Sequence, residues 1–306
     1  WPFVGAVALF MIAFGAASYV TDIKNRTSGF GGCLLLAGLN ARGNTRILEP
    51  VSKSRISPSR DHTEIMLRYL GAEIEEEFIE SASEFAHQVT ISGESRLTGK
   101  DLFVPSDISS AAFFLVAAAC LKGSEIEVKN VGLNPTRTAI IEVLKNLGVE
   151  ILIQNETSRN SELLGDLIVL GSGRFDAGDS VTKIEEHLIP NLIDEIPVLA
   201  VLGTQLPNGL EIRNASDLRV KETDRIAAIV GNLKRMGATV EEFEDGFRVE
   251  QSQLKGAELD SFGDHRIAMA FTVAGLIAEG ETKMNDAECA NISFPEFFDI
   301  LANVVK

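Results

Sequence analysis

The feature that most constrains this chain is a pattern that returns four times: an apolar helix, a glycine turn, a short strand, a polar loop, a second helix, then a strand. The first copy begins C-L-L-L-A-G-L-N-A-R-G at Cys33 and continues through S-R-D-H-T-E-I-M-L-R-Y-L-G from Ser59. The second begins I-S-S-A-A-F-F-L at Ile108 and continues through T-R-T-A-I-I-E-V-L-K-N-L-G. The third runs from I-P-V-L-A-V-L-G at Ile196 to K-E-T-D-R-I-A-A-I-V-G-N-L-K-R-M-G, and the fourth from H-R-I-A-M-A-F at His265 to F-P-E-F-F-D-I-L. One such module cannot bury its own apolar faces, so the copies must stack.

The two helices of a module differ in a way that places them. The first is apolar nearly all round, as in Ile267 to Ala278, and such a helix has to be buried on every side. The second is amphipathic: Ile226, Ile229, Val230, Leu233 and Met236 share a stripe while Lys234 and Arg235 lie elsewhere. Gly71, Gly148 and Gly237 stand where each second helix should stop, and the strands that follow alternate apolar with acidic residues. Buried helices wrapped by sheet and outer helices are therefore expected. A composition shift at Lys100 to Pro105 marks a domain boundary, giving an unmatched apolar segment at 1–30, one module at 31–102 and three modules at 103–306.

The chain's 306 residues, 45% hydrophobic and 24% charged, can form two domains with their own cores. A formal net charge of -16 excludes a nucleic-acid binder and requires any anionic ligand to meet a local basic cluster. Cys33, Cys120 and Cys289 are odd in number and far apart, which points to a reducing compartment, the cytoplasm, without disulfide framework or metal site. Trp1 to Val20 carries no charge and is followed by Lys24 and Arg26, so read alone it is a membrane-span candidate. It has neither the basic leader nor the cleavage site of a signal peptide.

Two polar stretches carry the chemistry. In R-V-K-E-T-D-R (219 to 225), a strand at Leu210 to Asn214 gives way to an amphipathic helix. Lys221 and Arg225, four apart, are expected on one helix face, where an anion would relieve their repulsion. The helix N-terminus adds free N–H groups and a positive dipole end, and Glu222 places a carboxylate alongside for proton transfer. The plainer alternative is a solvated helix start with a Glu222 to Arg225 salt bridge. In G-D-H-R (263 to 266) the polar residues stand directly before a helix that must be buried, so Arg266 is not a routine surface charge and should face a cleft. A lone His265 is more often structural than catalytic; beside Arg266 it is a candidate. Asp194 in L-I-D-E-I-P holds the corresponding place in the third module, where a helix-capping role explains it equally well.

These stretches, with S-R-D-H-T-E, D-I-S-S-A-A-F-F and S-F-P-E-F, resemble in order the 5-enolpyruvylshikimate-3-phosphate synthase family, from about Leu34 to the C-terminus. The resemblance implies an inside-out α/β barrel built from repeated helix–strand modules, in two domains of which the first is incomplete here. It implies transfer of enolpyruvyl from phosphoenolpyruvate to the 5-hydroxyl of shikimate 3-phosphate, in aromatic amino-acid biosynthesis, by a cytoplasmic monomer without metal or organic cofactor. Asp194 would then accept the hydroxyl proton and Glu222 would handle protons at the phosphoenolpyruvate carbon. Lys221 would hold shikimate 3-phosphate, Arg225 and Arg266 would clamp phosphoenolpyruvate, and His265, Asp217 and Arg60 would assist in substrate binding.

The chain departs from the family pattern at several points. T-S-G-F-G-G (Thr27 to Gly32) stands where the family has S-A-Q-V-K-S, with Gly29 at the glutamine position. Lys53 to Pro58 reads as an insertion, and Ile292 replaces a phosphate-binding lysine of one branch. Four modules instead of six imply a truncated form with little activity alone and with exposed apolar faces on the first module. The competing expectations are a membrane-anchored, non-catalytic anion binder and the sister enzyme that acts on UDP-N-acetylglucosamine.

Overall fold

The computed structural model describes residues 17–22, 30–51, 60–80 and 85–305. The first sixteen residues of the apolar opening segment, Thr27 to Gly29 and Lys53 to Pro58 lie outside the described residues. The last residues of the opening segment belong to a strand, β1 (Ala17–Asp22), rather than to a helix. Among the described residues no helix is long and apolar enough to cross a membrane.

The chain divides into two compact units, residues 1–104 with 158–163, and residues 105–157 with 164–306. In the first, α1 (Phe30–Gly38), β2 (Arg42–Val51), α2 (His62–Tyr69), β3 (Ile74–Glu80) and β4 (Phe85–Ser92) follow β1. The sheet order is β1-β2-β4-β3, with β1 parallel to β2 and the other pairs antiparallel. Its core is small: Leu34, Leu35, Ile47, Leu67, Ala72, Val89 and Ile91. Leu36, Met66, Phe78, Ile79 and Leu97 remain exposed.

The second unit contains α3 (Ile108–Cys120), β5 (Glu125–Gly132), α4 (Ala139–Asn146), β6 (Glu150–Arg159) and β7 (Glu162–Leu170). Next come β8 (Thr182–Lys183), α5 (Ile189–Leu192), α6 (Ile196–Gly203), β9 (Leu210–Ile212), α7 (Arg225–Arg235), β10 (Val240–Phe243) and β11 (Gly246–Val249). The last elements are β12 (Glu258–Asp260), α8 (His265–Ile277), β13 (Lys283–Asn285) and α9 (Phe297–Val304). Sheets of order β5-β7-β6, β10-β11-β9-β8 and β12-β13 lie outside, while α3, α6 and α8 pack on one another within. All eight residues of α6 are buried, so its uniformly apolar sequence is matched by its surroundings. Each aliphatic side chain buried in this way contributes roughly 1.5–3 kcal/mol of transfer free energy.

The module itself needs correction. In the first three copies the second helix leads into two strands rather than one: β3 and β4, β6 and β7, β10 and β11. The periodicity of the acidic strands marked the first of each pair and missed the second. The helix stops follow one plan. Gly71, Gly148 and Gly237 have φ of +105°, +77° and +84°, a conformation a side chain would strain. The next amide in each case bonds back to a buried leucine carbonyl, Ala72 to Leu67, Val149 to Leu144 and Ala238 to Leu233, closing the helix end.

Candidate active site

Five helices of the second unit have an acidic residue immediately before them: Asp107 before α3, Glu195 before α6, Asp224 before α7, Asp264 before α8 and Glu296 before α9. Three of these side chains cap their own helix. Asp107 accepts from Ser110 N at 2.9 Å, Asp224 from Ala227 N at 3.0 Å, and Asp264 from Arg266 N at 2.8 Å. Small polar acceptors at this position satisfy amides that the helix cannot, and their charge complements the positive helix end.

The first corrected expectation concerns Lys221 and Glu222. Helix α7 begins only at Arg225, because Asp224 caps it, and Lys221 is extended with φ −78° and ψ −154°. No helix face therefore carries Lys221 and Arg225 together. The strand before them is also shorter than expected, ending at Ile212 ahead of Asn214 in the left-handed region. Asp217 lies on a 3-10 turn, Ser216–Val220, anchored by buried Leu218.

Arg225 is 1% exposed and fully engaged. Its Nε donates to Asp264 Oδ2 at 2.7 Å, Nη2 to Glu222 Oε2 at 2.6 Å, and Nη1 to Asp194 Oδ1 at 3.4 Å. The plainer alternative for this stretch, a Glu222 to Arg225 ion pair, is thus present, within a larger cluster. Arg266, 16% exposed, places Nη2 at 3.4 Å from Asp194 Oδ2 and donates through Nη1 to the Asp194 carbonyl at 3.4 Å. Two guanidinium groups and three carboxylates from the starts of three helices meet here. The cluster carries its own counter-charges, and Glu222, half exposed, is its most accessible acid.

His265 opens α8 and is largely buried. Burial, reinforced by Arg266 and Arg225, lowers its pKa, so the ring stays neutral at ordinary pH. Arg219, the first residue of the motif, is structural. Its Nη1 bonds Asp224 at 2.9 Å and Glu242 at 2.9 Å, and its Nε and Nη2 bond the carbonyls of Glu244 and Phe243. Arg60 belongs to the first unit and precedes α2. Sequence reasoning passed over Asp264, which both caps α8 and holds Arg225, and Glu195, which is buried beside Asp194. The signal for both was available: an acid directly before a wholly apolar helix cannot be a solvated charge.

The second unit is thus a helix-cored, sheet-wrapped α/β repeat that gathers two arginines and three carboxylates at the starts of three helices. The family model for EPSP synthase (3-phosphoshikimate 1-carboxyvinyltransferase) matches residues 16–301, and the chain belongs to that family. The 3-phosphoshikimate 1-carboxyvinyltransferase of Solibacter usitatus is 48% identical over 275 residues, 90% of this chain and 60% of that protein. That of Synechocystis is 46% identical over 278 residues, 90% of this chain and 58% of that protein. Among solved structures, an EPSP synthase from Acinetobacter baumannii superposes with a TM-score of 0.78 at 34% identity, covering 94% of this chain and 62% of that one. The chain thus spans about 60% of the length of the curated relatives it matches. The inside-out α/β fold expected from the sequence is the fold of these relatives.

Proposed function

We propose that the cluster around Arg225 serves enolpyruvyl transfer from phosphoenolpyruvate to the 5-hydroxyl of shikimate 3-phosphate, with release of phosphate. The observation that carries this is the meeting of Asp194, Glu222, Arg225 and Arg266 within ion-pair distance, in a chain of this family. The hydroxyl oxygen bonds to the enol carbon of phosphoenolpyruvate, its proton passes to Asp194, and the methylene carbon gains a proton from Glu222. In the second half Glu222 takes a methyl proton back as the carbon–oxygen bond to phosphate breaks, forming the enol ether, and the proton held by Asp194 leaves with the phosphate. Both halves move protons beside the substrates' negative charges, which Arg225 and Arg266 are placed to offset. Lys221 holds shikimate 3-phosphate; Asp217, Arg60 and neutral His265 are assigned supporting contacts. A monomer in the cytoplasm, divided into domains at 31–102 and 103–306, is the form in which we expect it to act.

Phosphate release from phosphoenolpyruvate, measured with and without shikimate 3-phosphate, tests the proposal, with calorimetric binding of both ligands alongside. Release that depends on both substrates supports it. Binding without release favours the non-catalytic anion binder, and a chain that neither binds nor turns over refutes the assignment.

A further inference from the structure

Between β12 and α8 the chain passes through two successive left-handed residues, Phe262 at φ +54° and Gly263 at φ +71°. Glycine enters that region freely, but a phenylalanine does so at a cost, because its Cβ crowds the backbone. Strain of this kind persists only where the surroundings over-determine the turn.

Those surroundings centre on Ser261, which is wholly buried. It stands opposite Asp286, one residue beyond the last register pair of the parallel strands β12 and β13, Asp260 with Asn285. Its Oγ donates to the Asp286 carbonyl at 3.1 Å, with Asp286 Oδ2 at 3.4 Å, and accepts from the Gly263 amide at 3.1 Å. Its carbonyl accepts from the Asp264 amide at 3.0 Å, and its amide donates to the Asn285 carbonyl at 3.3 Å. The Phe262 amide donates to Asp260 Oδ1 at 2.7 Å. Every amide from Ser261 to Asp264 is thus bonded, and the Ser261 hydroxyl ties the turn to the end of β13.

Asp264 follows directly and is itself wholly buried. It meets Arg225 with both oxygens, Oδ2 to Nε at 2.7 Å and Oδ1 to Nη2 at 3.4 Å. A carboxylate along one edge of a guanidinium fixes the plane of that group as well as its position. Where the main chain places Asp264 therefore decides how Arg225 is turned. Capping of α8 does not account for the turn. It requires the extended backbone of Asp264, φ −102° and ψ 116°, but no left-handed pair ahead of it.

We propose that Ser261 is a positioning residue for Arg225: its hydroxyl holds the Phe262–Gly263 turn in the left-handed form and so sets Asp264, which aligns the guanidinium. The consequence for phosphoenolpyruvate rests on the reading of Arg225 as part of its clamp.

The test has a structural and a kinetic arm. In a crystal structure of Ser261→Ala, Asp264 and the Arg225 guanidinium should shift by more than about 1 Å relative to α6, a displacement large enough to matter for a bound substrate. In turnover the KM for phosphoenolpyruvate should rise about tenfold, while the KM for shikimate 3-phosphate, assigned to Lys221, changes less than about twofold. Phe262→Gly separates the hydroxyl's role from a general loss of packing. With glycine at 262 the turn is unstrained, so Ser261→Ala in that background should leave Arg225 and both KM values where Phe262→Gly alone puts them. If Ser261→Ala does not fold, Ser261→Cys, close in shape but a weaker donor and acceptor, takes its place in both arms. An Arg225 that stays put in the single variant overturns the proposal, as does an equal displacement with and without glycine at 262. Absence of turnover in the unsubstituted chain would count against the proposed reaction alone, since the crystallographic arm still decides the positioning role.

Discussion

The first and second units of this chain use the same module with different amounts of support. In the second, three copies lend each other their apolar helices, and α3, α6 and α8 bury one another. In the first, one copy has two short helices on a sheet, a core of seven residues, and large apolar side chains such as Leu36, Phe78 and Leu97 left on the surface. Buried polar groups occur in both. The second unit buries Arg225 against Asp264 at 2.7 Å and Glu195 against the Ser109 hydroxyl. The first buries Glu64, whose pKa burial pushes up to about 7, with no basic side chain bonded to it among the described residues. A repeat unit thus gains most of its buried apolar contact from its neighbours.

Breaking the best-organised pair should give the largest effect. Arg225→Ala leaves Asp264 buried without its partner and should cost the second unit about 3–5 kcal/mol. Urea unfolding would show it, and a loss below about 1 kcal/mol would contradict the account of that pair. Next, Leu35→Ala and Leu199→Ala should each cost about 2–5 kcal/mol, with different reach. Amide exchange should show the first unit opening alone in Leu35→Ala, the second keeping its protection. Matching loss across both units would mean that they are not independent.

Glu64 sharpens the contrast through pH. Its folded pKa of about 7 lies above the ordinary carboxylate value of 4.5, so its contribution is fully present below about pH 4.5 and lost as pH rises through about 7. Glu64→Gln, which stays neutral, should therefore gain on the parent chain by up to about 3 kcal/mol between pH 4.5 and pH 8. A difference in urea midpoint that does not change with pH would remove burial as the cause. Smallest is the cap of α7: Asp224→Ala should cost about 1 kcal/mol, and a fully stable variant would show that this cap does not hold the helix start.

Much of this was legible in the residues. The apolar runs at Ile108, Ile196 and His265 identified the buried helices, because no amphipathic alternative fits them, and the glycines at 71, 148 and 237 marked the helix ends. What failed was the assumption that a helix starts where its motif starts. Lys221 and Glu222 were read onto a helix face that Asp224 cuts off at Arg225. The bond between Ser109 and Glu195 was invisible for another reason: its partners come from two segments with no shared period, and only the packing of α3 on α6 brings them together.

Arg225 has a further consequence for how this site meets a ligand. A guanidinium already paired with three carboxylates offers little vacant charge, so an anion joins it by substitution, evicting the half-exposed Glu222. Occupation at Arg225 is then a metathesis of one anion for another. Its affinity should respond weakly to ionic strength, the reverse of what an open basic patch displays.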